Sequence, residues 1–429
     1  MTDWIGAAEA AQRLGIKQAS LYSYVSRGVL TRRRSAADRV SLFDAREVER
    51  LARRGRPRRV HAKSELVIET SLTEISGGQL RYRGHDVMAL AAEQSFEAVA
   101  GLLWTGSLAE PTSMAWQATP EAVAAGTAAQ AALPTGTLPL ERLQVIVPAM
   151  AATDPLRLHL DPSAVQEAAR CLIAGMVECL PIGGAAGTAP TTASASADPV
   201  PISAAPASAP AAPAAAGGIA ERLALRLSLG PLAPGLTDAL RAALVLLADH
   251  ELAASTLAAR VAASVRADPY AVVATGLGAL GGSLHGGASL AAEVMLASAG
   301  RPADAARVVG DLLRRGERIP GFGHFVYQTG DPRAVLLIEI LRHSAPESER
   351  LAVVEAGLAE VRKRALPEPN VDFALAALMA VAGLTPGAGE AIFAVARAAG
   401  WLAHALEEYA RNTPIRPRGI YTGPAAASS

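Results

Sequence analysis

Lysine is almost missing from this chain of 429 residues: Lys17, Lys63 and Lys363 are the only three among forty basic side chains. Arginine is therefore the default cation, and a lone arginine marks nothing. Aromatic residues amount to 4%, and with few large rings and abundant alanine the core has to be built from closely packed helices. The two cysteines, Cys171 and Cys179, stand eight apart in a helical pattern, which excludes a disulfide framework and fits buried thiols in a reducing compartment. The first fifteen residues have no basic segment ahead of an apolar run, so no secretory leader is expected and a cytoplasmic location is. Tyr270 to Ala292 is free of Asp, Glu, Lys and Arg, but six glycines and His285 interrupt it, which predicts a pair of buried helices and no membrane span. HExxH, a phosphate loop and close-spaced Cys/His sets are all absent, so no metal is expected.

What is present divides unevenly. Residues 1–63 hold fifteen basic and six acidic side chains, about +9, and the remainder balances this at about −9. Residues 1–59 read as a small unit of their own: "AAEAAQRLG" and "QASLYSYVSRG" as two helices joined by a tight turn, "VLTRRR" and "DRVSLF" as a hairpin wing, and "DAREVERLARR" as a third helix with Asp44 and Glu47 at capping-box spacing. Leu21, Tyr24 and Val25 have the spacing of a buried face. Such a winged helix-turn-helix either binds DNA, with Lys17, Ser20, Tyr22, Ser23 and Arg27 as contacts and Arg32, Arg33 and Arg34 on phosphates, or serves as a docking module. Residues 60–63 form a basic connector. From 64 to 424 the pattern is one of long apolar helices, broken by an Ala/Pro/Ser-rich insertion at 183–218 that is too poor in apolar side chains to offset its ordering entropy. Residues 425–429 are a tail.

The larger region carries the chemistry. His250 lies in "LLADHELAAST", His285 in "GGSLHGGAS" and His324 in "GFGHFVY". Glycines beside the last two allow backbone to approach a ligand. Asp372, in "PNVDFALAALMAVAGL", is either a simple helix cap or a carboxylate whose apolar surroundings raise its pKa into the range of a base. Arg397 interrupts an otherwise apolar helix, and Arg333 and Arg416 sit in proline-fixed turns; together they suit a ligand with more than one carboxylate. Two or three histidines, one carboxylate and several arginines fit carbon-acid chemistry, in which a base removes a proton beside a carbonyl and a neutral imidazole stabilises the enolate oxygen.

The motifs "GGSLHGGAS", "RIPGFGHFVYQTGDPRA", "PNVDFALA", "FAVARAAGWLAH" and "IRPRGIYTG", in this order, resemble the citrate synthase family, as does "GGQLRYRGHDVMALAAEQSFEAVAGLLWTG". The resemblance implies an all-α fold with a large and a small helical domain, the small one at about 290–385, in a homodimer. It also implies an EC 2.3.3 transferase that condenses acetyl-CoA with oxaloacetate to give citrate and CoA, with no cofactor beyond the thioester substrate. Asp372 then matches the base, His285 the histidine that stabilises the enol, and His324 the residue that polarises the oxaloacetate carbonyl. His250, Arg333 and Arg397 match ligands of the dicarboxylate, and Arg416 an arginine contributed across the dimer interface. Gly321 and Gly323, with Arg318 beside them, match the CoA-binding loop. Ala253, Ser289, Phe325 and Gln328 depart from the family pattern, which leaves open a 2-methylcitrate synthase using propionyl-CoA. The N-terminal part resembles the MerR-like helix-turn-helix group, which leaves open a ligand-sensing regulator on a synthase fold.

Overall fold

The computed structural model describes residues 4–14, 21, 24–25, 30–34, 41–49, 67–108, 115–183, 217–327 and 330–423. It divides into two compact units, Met1–Ile68 and Glu69–Ser429. In the first, β1 (Trp4–Gly6), α1 (Ala7–Leu14), β2 (Arg32–Arg34) and β3 (Ser41–Asp44) surround a core that includes Ile5, Ala10, Leu21, Phe43 and Val48. The expected hairpin of β2 with β3 is present and antiparallel, and β1 adds a third strand on the other side of β3. The capping box is not formed: Asp44 accepts the Arg46 N–H, while Glu47 reaches back to the backbone N–H and hydroxyl of Thr31 at 2.6 and 3.2 Å. The five DNA-contact candidates, Lys17, Ser20, Tyr22, Ser23 and Arg27, lie outside the described residues, as do residues 184–216 of the insertion.

The second unit opens with a small antiparallel sheet, β4 (Thr73–Ser76), β5 (Gln79–Tyr82) and β6 (His85–Asp86). The rest is helical: α2 (Val87–Glu93), α3 (Phe96–Thr105), α4 (Pro120–Ala131), α5 (Pro139–Ala151), α6 (Pro162–Glu178), α7 (Ile219–Leu227), α8 (Pro234–Leu247), α9 (Ala254–Ser264), α10 (Pro269–Leu280), α11 (Gly287–Ser298), α12 (Ala305–Arg314), α13 (Pro332–Ser344), α14 (Glu349–Lys363), α15 (Val371–Ala382) and α16 (Ala388–Arg411). Helices α4, α5, α6, α8, α10 and α13 each begin on proline, whose fixed φ suits a first turn and whose missing N–H would have been unpaired there. The uncharged run Tyr270–Ala292 folds into most of α10, a turn and the start of α11, as its glycines predict. Among the described residues no helix is long and apolar enough to cross a membrane. Cys171 and Cys179 are both free thiols.

Helix α16 is the axis of this unit. Every residue from Ala388 to Ala405 is buried, and α3, α5, α6, α8, α9, α10, α11 and α15 all pack on it. A helix rich in alanine can accept neighbours on all sides because no bulky side chain holds them off. Its last third is tied by charge: Arg260 of α9 donates from Nε to Glu408 at 2.6 Å and from Nη1 to Glu407 at 2.7 Å and to His404 Nδ1 at 2.5 Å. Arg260 and Glu408 are almost fully buried. Removing one partner of such a pair strands the other charge without water. Arg260→Met is therefore expected to cost about 3–5 kcal/mol, read as a lower urea midpoint at fixed protein concentration; a loss under about 1 kcal/mol would contradict the pairing.

Candidate active site

Three loops and one helix start converge. His250 follows α8, and the backbone before it is clamped: Tyr82 Oη donates to the Asp249 carbonyl at 2.8 Å and accepts the Asp249 N–H at 3.1 Å. The Asp249 carboxylate accepts from Thr73 Oγ1 and from His404 Nε2 at 3.3 Å. The His250 ring lies 5.5 Å, edge to face, from that of His324, and His250 Nε2 meets Tyr327 Oη at 3.0 Å. His324 Nδ1 accepts backbone N–H groups from Val326 and Tyr327 at 3.0 and 3.3 Å, so in the neutral ring the hydrogen is on Nε2. His285, in the turn before α11, packs edge to face on Phe393 with ring centres 5.8 Å apart, and its Nε2 is 2.7 Å from Ser255 Oγ, which also accepts from Trp401 Nε1.

Asp372 is not the cap of α15. Asn370 is, its Oδ1 accepting the N–H groups of Asp372 and Phe373, so the carboxyl of Asp372 is released from that duty. Asn370 also joins α15 to the glycine loop: its N–H reaches the Gly321 carbonyl at 2.9 Å, its Nδ2 the Gly323 carbonyl at 2.8 Å, and the Gly323 N–H reaches Glu368 O at 2.8 Å. Gly321 has φ +79°, and a Cβ there would lie 2.7 Å from that of Phe373, so glycine is required for the loop to lie against the start of α15.

Arg333 and Arg397 are both buried. Arg333 grips Asp331 through Nε at 3.0 Å and Nη2 at 2.8 Å, with Nη2 also 3.5 Å from His324 Nε2. Its expected grip on a ligand is thus shared with a carboxylate of its own chain, which additionally accepts the Val371 N–H at 3.0 Å and so orients the start of α15. Arg397 donates from Nε to the Leu247 carbonyl at 2.8 Å and stacks over Phe393, whereas its Nη1 is buried without a hydrogen-bond partner.

Burial sets the titration of the cluster. It pushes Asp372 up to about 7, with Arg333 and Arg397 pulling the other way and Asp331 adding to the rise. It pushes His285 down to about 4, helped by the Arg397 charge. Burial and the nearby arginines also lower His250 and His324. The result is three imidazoles held toward the neutral form and an acid raised to about 7, with His250, His285 and Asp372 all in the field of Arg397.

Beside the glycine loop lies an open cleft of about 610 Å³, lined by Gly287, Leu290, Val294 and Leu312, with Arg307 and Arg315 on its rim and Pro320 at its edge. Arg318 is exposed on the loop. Arg416 is exposed in the segment after α16, and among the described residues no hydrogen bond or ion pair joins it to the histidines. Of the departures noted in the sequence, Ala253 leaves α9 without a side-chain cap beside His250, Ser289 is buried with its hydroxyl unpaired, and Phe325 is 98% exposed next to His324. Gln328 is outside the described residues. Sequence reasoning missed Ser255, Tyr327, Asp331 and Phe393 as supports, and Arg307 and Arg315 on the cleft. Asp331 alone was signalled, by its place in the Asp-Pro-Arg turn.

Residues 62–418 match the family described as "Citrate synthase, C-terminal domain". The chain belongs to the citrate synthase family. These are transferases of the acyl-to-alkyl type. The chain is 34% identical to the citrate synthase of Haloferax volcanii over 83% of this chain and 94% of that one. With Citrate synthase 2 of Bacillus subtilis it is 41% identical, over 48% of this chain and 56% of the relative, so that match spans little more than half of the relative's length. The 2-methylcitrate synthase of Mycobacterium tuberculosis is 30% identical over 80% and 84%. Among solved structures, citrate synthase of Thermotoga maritima superposes with a TM-score of 0.65 at 25% identity, covering 85% of this chain and 96% of that one. That of Thermoplasma acidophilum, in a ternary complex with carboxymethyl coenzyme A and oxaloacetate, gives 0.66 at 26% over the same shares. The family match begins at residue 62, so the N-terminal unit with its helix-turn-helix likeness lies outside the citrate synthase region.

A carboxyl whose folded pKa is raised contributes stability that is complete below its ordinary value near 3.8 and is lost as the pH rises through about 7. Asp372→Asn removes that loss. Its thermal midpoint relative to the unsubstituted protein should climb between about pH 4 and 7 and level off above; a difference that stays flat across this window would show that Asp372 is not held neutral.

Proposed function

We propose that the chain is a synthase that joins the α-carbon of a short acyl-CoA, acetyl-CoA first, to the ketone carbon of oxaloacetate and hydrolyses the product thioester, releasing citrate and CoA. The observation that carries this reading is the meeting of an acid poised near pH 7, three neutral imidazoles and a buried guanidinium whose Nη1 has no partner. Asp372 as carboxylate takes the proton from the thioester's α-carbon. His285, with the Ser255 hydroxyl donating to Nε2, carries its hydrogen on Nδ1 and gives it as a hydrogen bond to the thioester oxygen, where negative charge develops. The carbon nucleophile then adds to the ketone, whose oxygen accepts from His324 Nε2–H. Arg397 Nη1 and His250 hold the dicarboxylate, with Arg333 setting the charge around His324. Arg416 is assigned to the site of a second copy, in a dimer.

The cleft beside "RIPGFG" suits the adenosine end of CoA, with apolar side chains for the ring and Arg307 and Arg315 for phosphates. Propionyl-CoA differs by one methylene, worth only about 1–3 kcal/mol in an apolar pocket, and the likeness to a 2-methylcitrate synthase favours testing it as the second substrate.

Thiol release measured with acetyl-CoA or propionyl-CoA should depend on oxaloacetate. Asp372→Asn should lower kcat by about 10²–10⁴ with little change in KM for oxaloacetate, and Arg307→Ala or Arg315→Ala should raise KM for acyl-CoA about two- to fivefold. A folded protein that turns over neither thioester would refute the reading.

The basic N-terminal unit supports a second activity. It is a separate compact body whose strand β2 carries consecutive arginines, and residues 1–63 hold fifteen cations against six anions. We read it as a duplex DNA-binding appendage. Binding to a random duplex should weaken by about 10³ between 50 and 200 mM salt; equal affinity at both salts, or none at 50 mM, would leave the unit a docking module.

A further inference from the structure

One carboxylate outside the proposed chemistry bridges the helix that follows His285 and the start of α16. Glu293 lies on α11, eight residues past His285, and its two oxygens accept the backbone N–H groups of Gly387 and Gly389 at 2.9 and 3.3 Å. Those are the cap and second residue of α16, whose first N–H groups have no partner within their own helix. Gly387, at φ +77°, has no side chain with which to cap, so the capping group arrives from another helix. The carboxylate also faces the positive end of the longest helix dipole in the described fold.

The approach is close because Gly389 has no side chain. A Cβ there would lie 2.6 Å from Ser289 Oγ, 3.0 Å from Glu293 Oε1 and 3.1 Å from Met379 Sδ. Ser289 and Glu293 are one turn apart on α11, so one face of the helix that follows His285 is pressed onto the start of α16. One turn further along α16 stands Phe393, the ring against which His285 packs, and one turn beyond it Arg397, whose guanidinium lies 4.7 Å over the same ring. Burial raises Glu293 to about 7 against the pull of the two N–H donors, and Glu390 adds to the rise. A half-buried acid near another acid is a costly choice for a purely structural contact.

We propose that Glu293 is a positioning residue for His285: by capping α16 from α11 it fixes the seat of the imidazole on Phe393, and so the direction in which the ring offers its hydrogen to the thioester. The inference rests on the synthase reading and adds to it a residue that touches neither substrate.

The test is steady-state kinetics of the full-length protein with acetyl-CoA and oxaloacetate, alongside thermal unfolding. Glu293→Gln keeps the shape but turns one acceptor into a donor facing an N–H. It should lower kcat by about tenfold or more while KM for oxaloacetate moves less than about twofold, because the backbone bond that anchors Arg397 to Leu247 is untouched. Glu293→Asp should recover part of the loss. Gly389→Ala, which displaces the same contact with Glu293 intact, should lower kcat similarly, and the double variant should be no worse than the poorer single one, because both act on one contact. If Glu293→Gln turns over like the unsubstituted protein, or loses melting temperature alone, or if the two losses multiply, the positioning role is overturned. Absence of turnover in the unsubstituted protein would instead sink the synthase reading.

Discussion

The structure depends on a charge taken out of water and left only partly paired. Arg397 sits inside a bundle of eight helices with one nitrogen on a backbone carbonyl, its plane on Phe393 and its Nη1 unpartnered. In a resting fold such a group costs free energy. It persists because α16 is packed on every side. The same dry surroundings raise Asp372 and lower His285, so burial of the arginine and tuning of the acid and the imidazole are one constraint seen from three residues.

Around that constraint each side chain proposed to react is held by a neighbour with no proposed part in the chemistry. Asn370 caps α15 and straps the glycine loop, which relieves the Asp372 carboxyl of capping. Asp331 fixes Arg333 and the first turn of α15 together. Ser255 and Trp401 orient His285 from below, and Asp249, Tyr82 and His404 hold the backbone that presents His250. The supports come from helices far apart in sequence, so the precision of the site belongs to the packing of the bundle and not to any one loop. Preorganisation of this kind lets a weak base and neutral donors do work that in water would be spent on solvent rearrangement.

The departures from the family pattern lie beside groups proposed for both substrates: Ala253 and Phe325 near His250 and His324, Ser289 on the helix that follows His285. Phe325 places a nearly fully exposed ring beside His324, and Ser289 leaves a buried hydroxyl unpaired where α11 meets α16. Neither touches Asp372, His285 or the arginines. His285, His324 and Asp372 are thus retained while side chains near them differ, and apolar pockets discriminate between substrates only by small increments of contact.

By itself the sequence determined the helical class, through alanine and a scarcity of aromatics, and it placed proline at the start of six helices. It also marked His285, His324 and Asp372, because glycine beside histidine and an acid at the mouth of an apolar helix are local signals. Most of the small N-terminal hairpin was legible for the same reason, whereas its third strand and the link from Glu47 to Thr31 were not. Only the tertiary structure decided that Asn370 and not Asp372 caps α15, that Arg333 spends two nitrogens on Asp331, that Ser255 and Phe393 meet His285, and that Glu293 caps α16. The reason is physical: a contact between residues 30 or more positions apart, such as Ser255 with His285, leaves no periodicity in the chain, the choice among neighbouring caps and ion-pair partners such as Asn370 and Asp331 is made by side-chain directions that packing sets, and the desolvation that shifts a pKa exists only once the helices have closed around it.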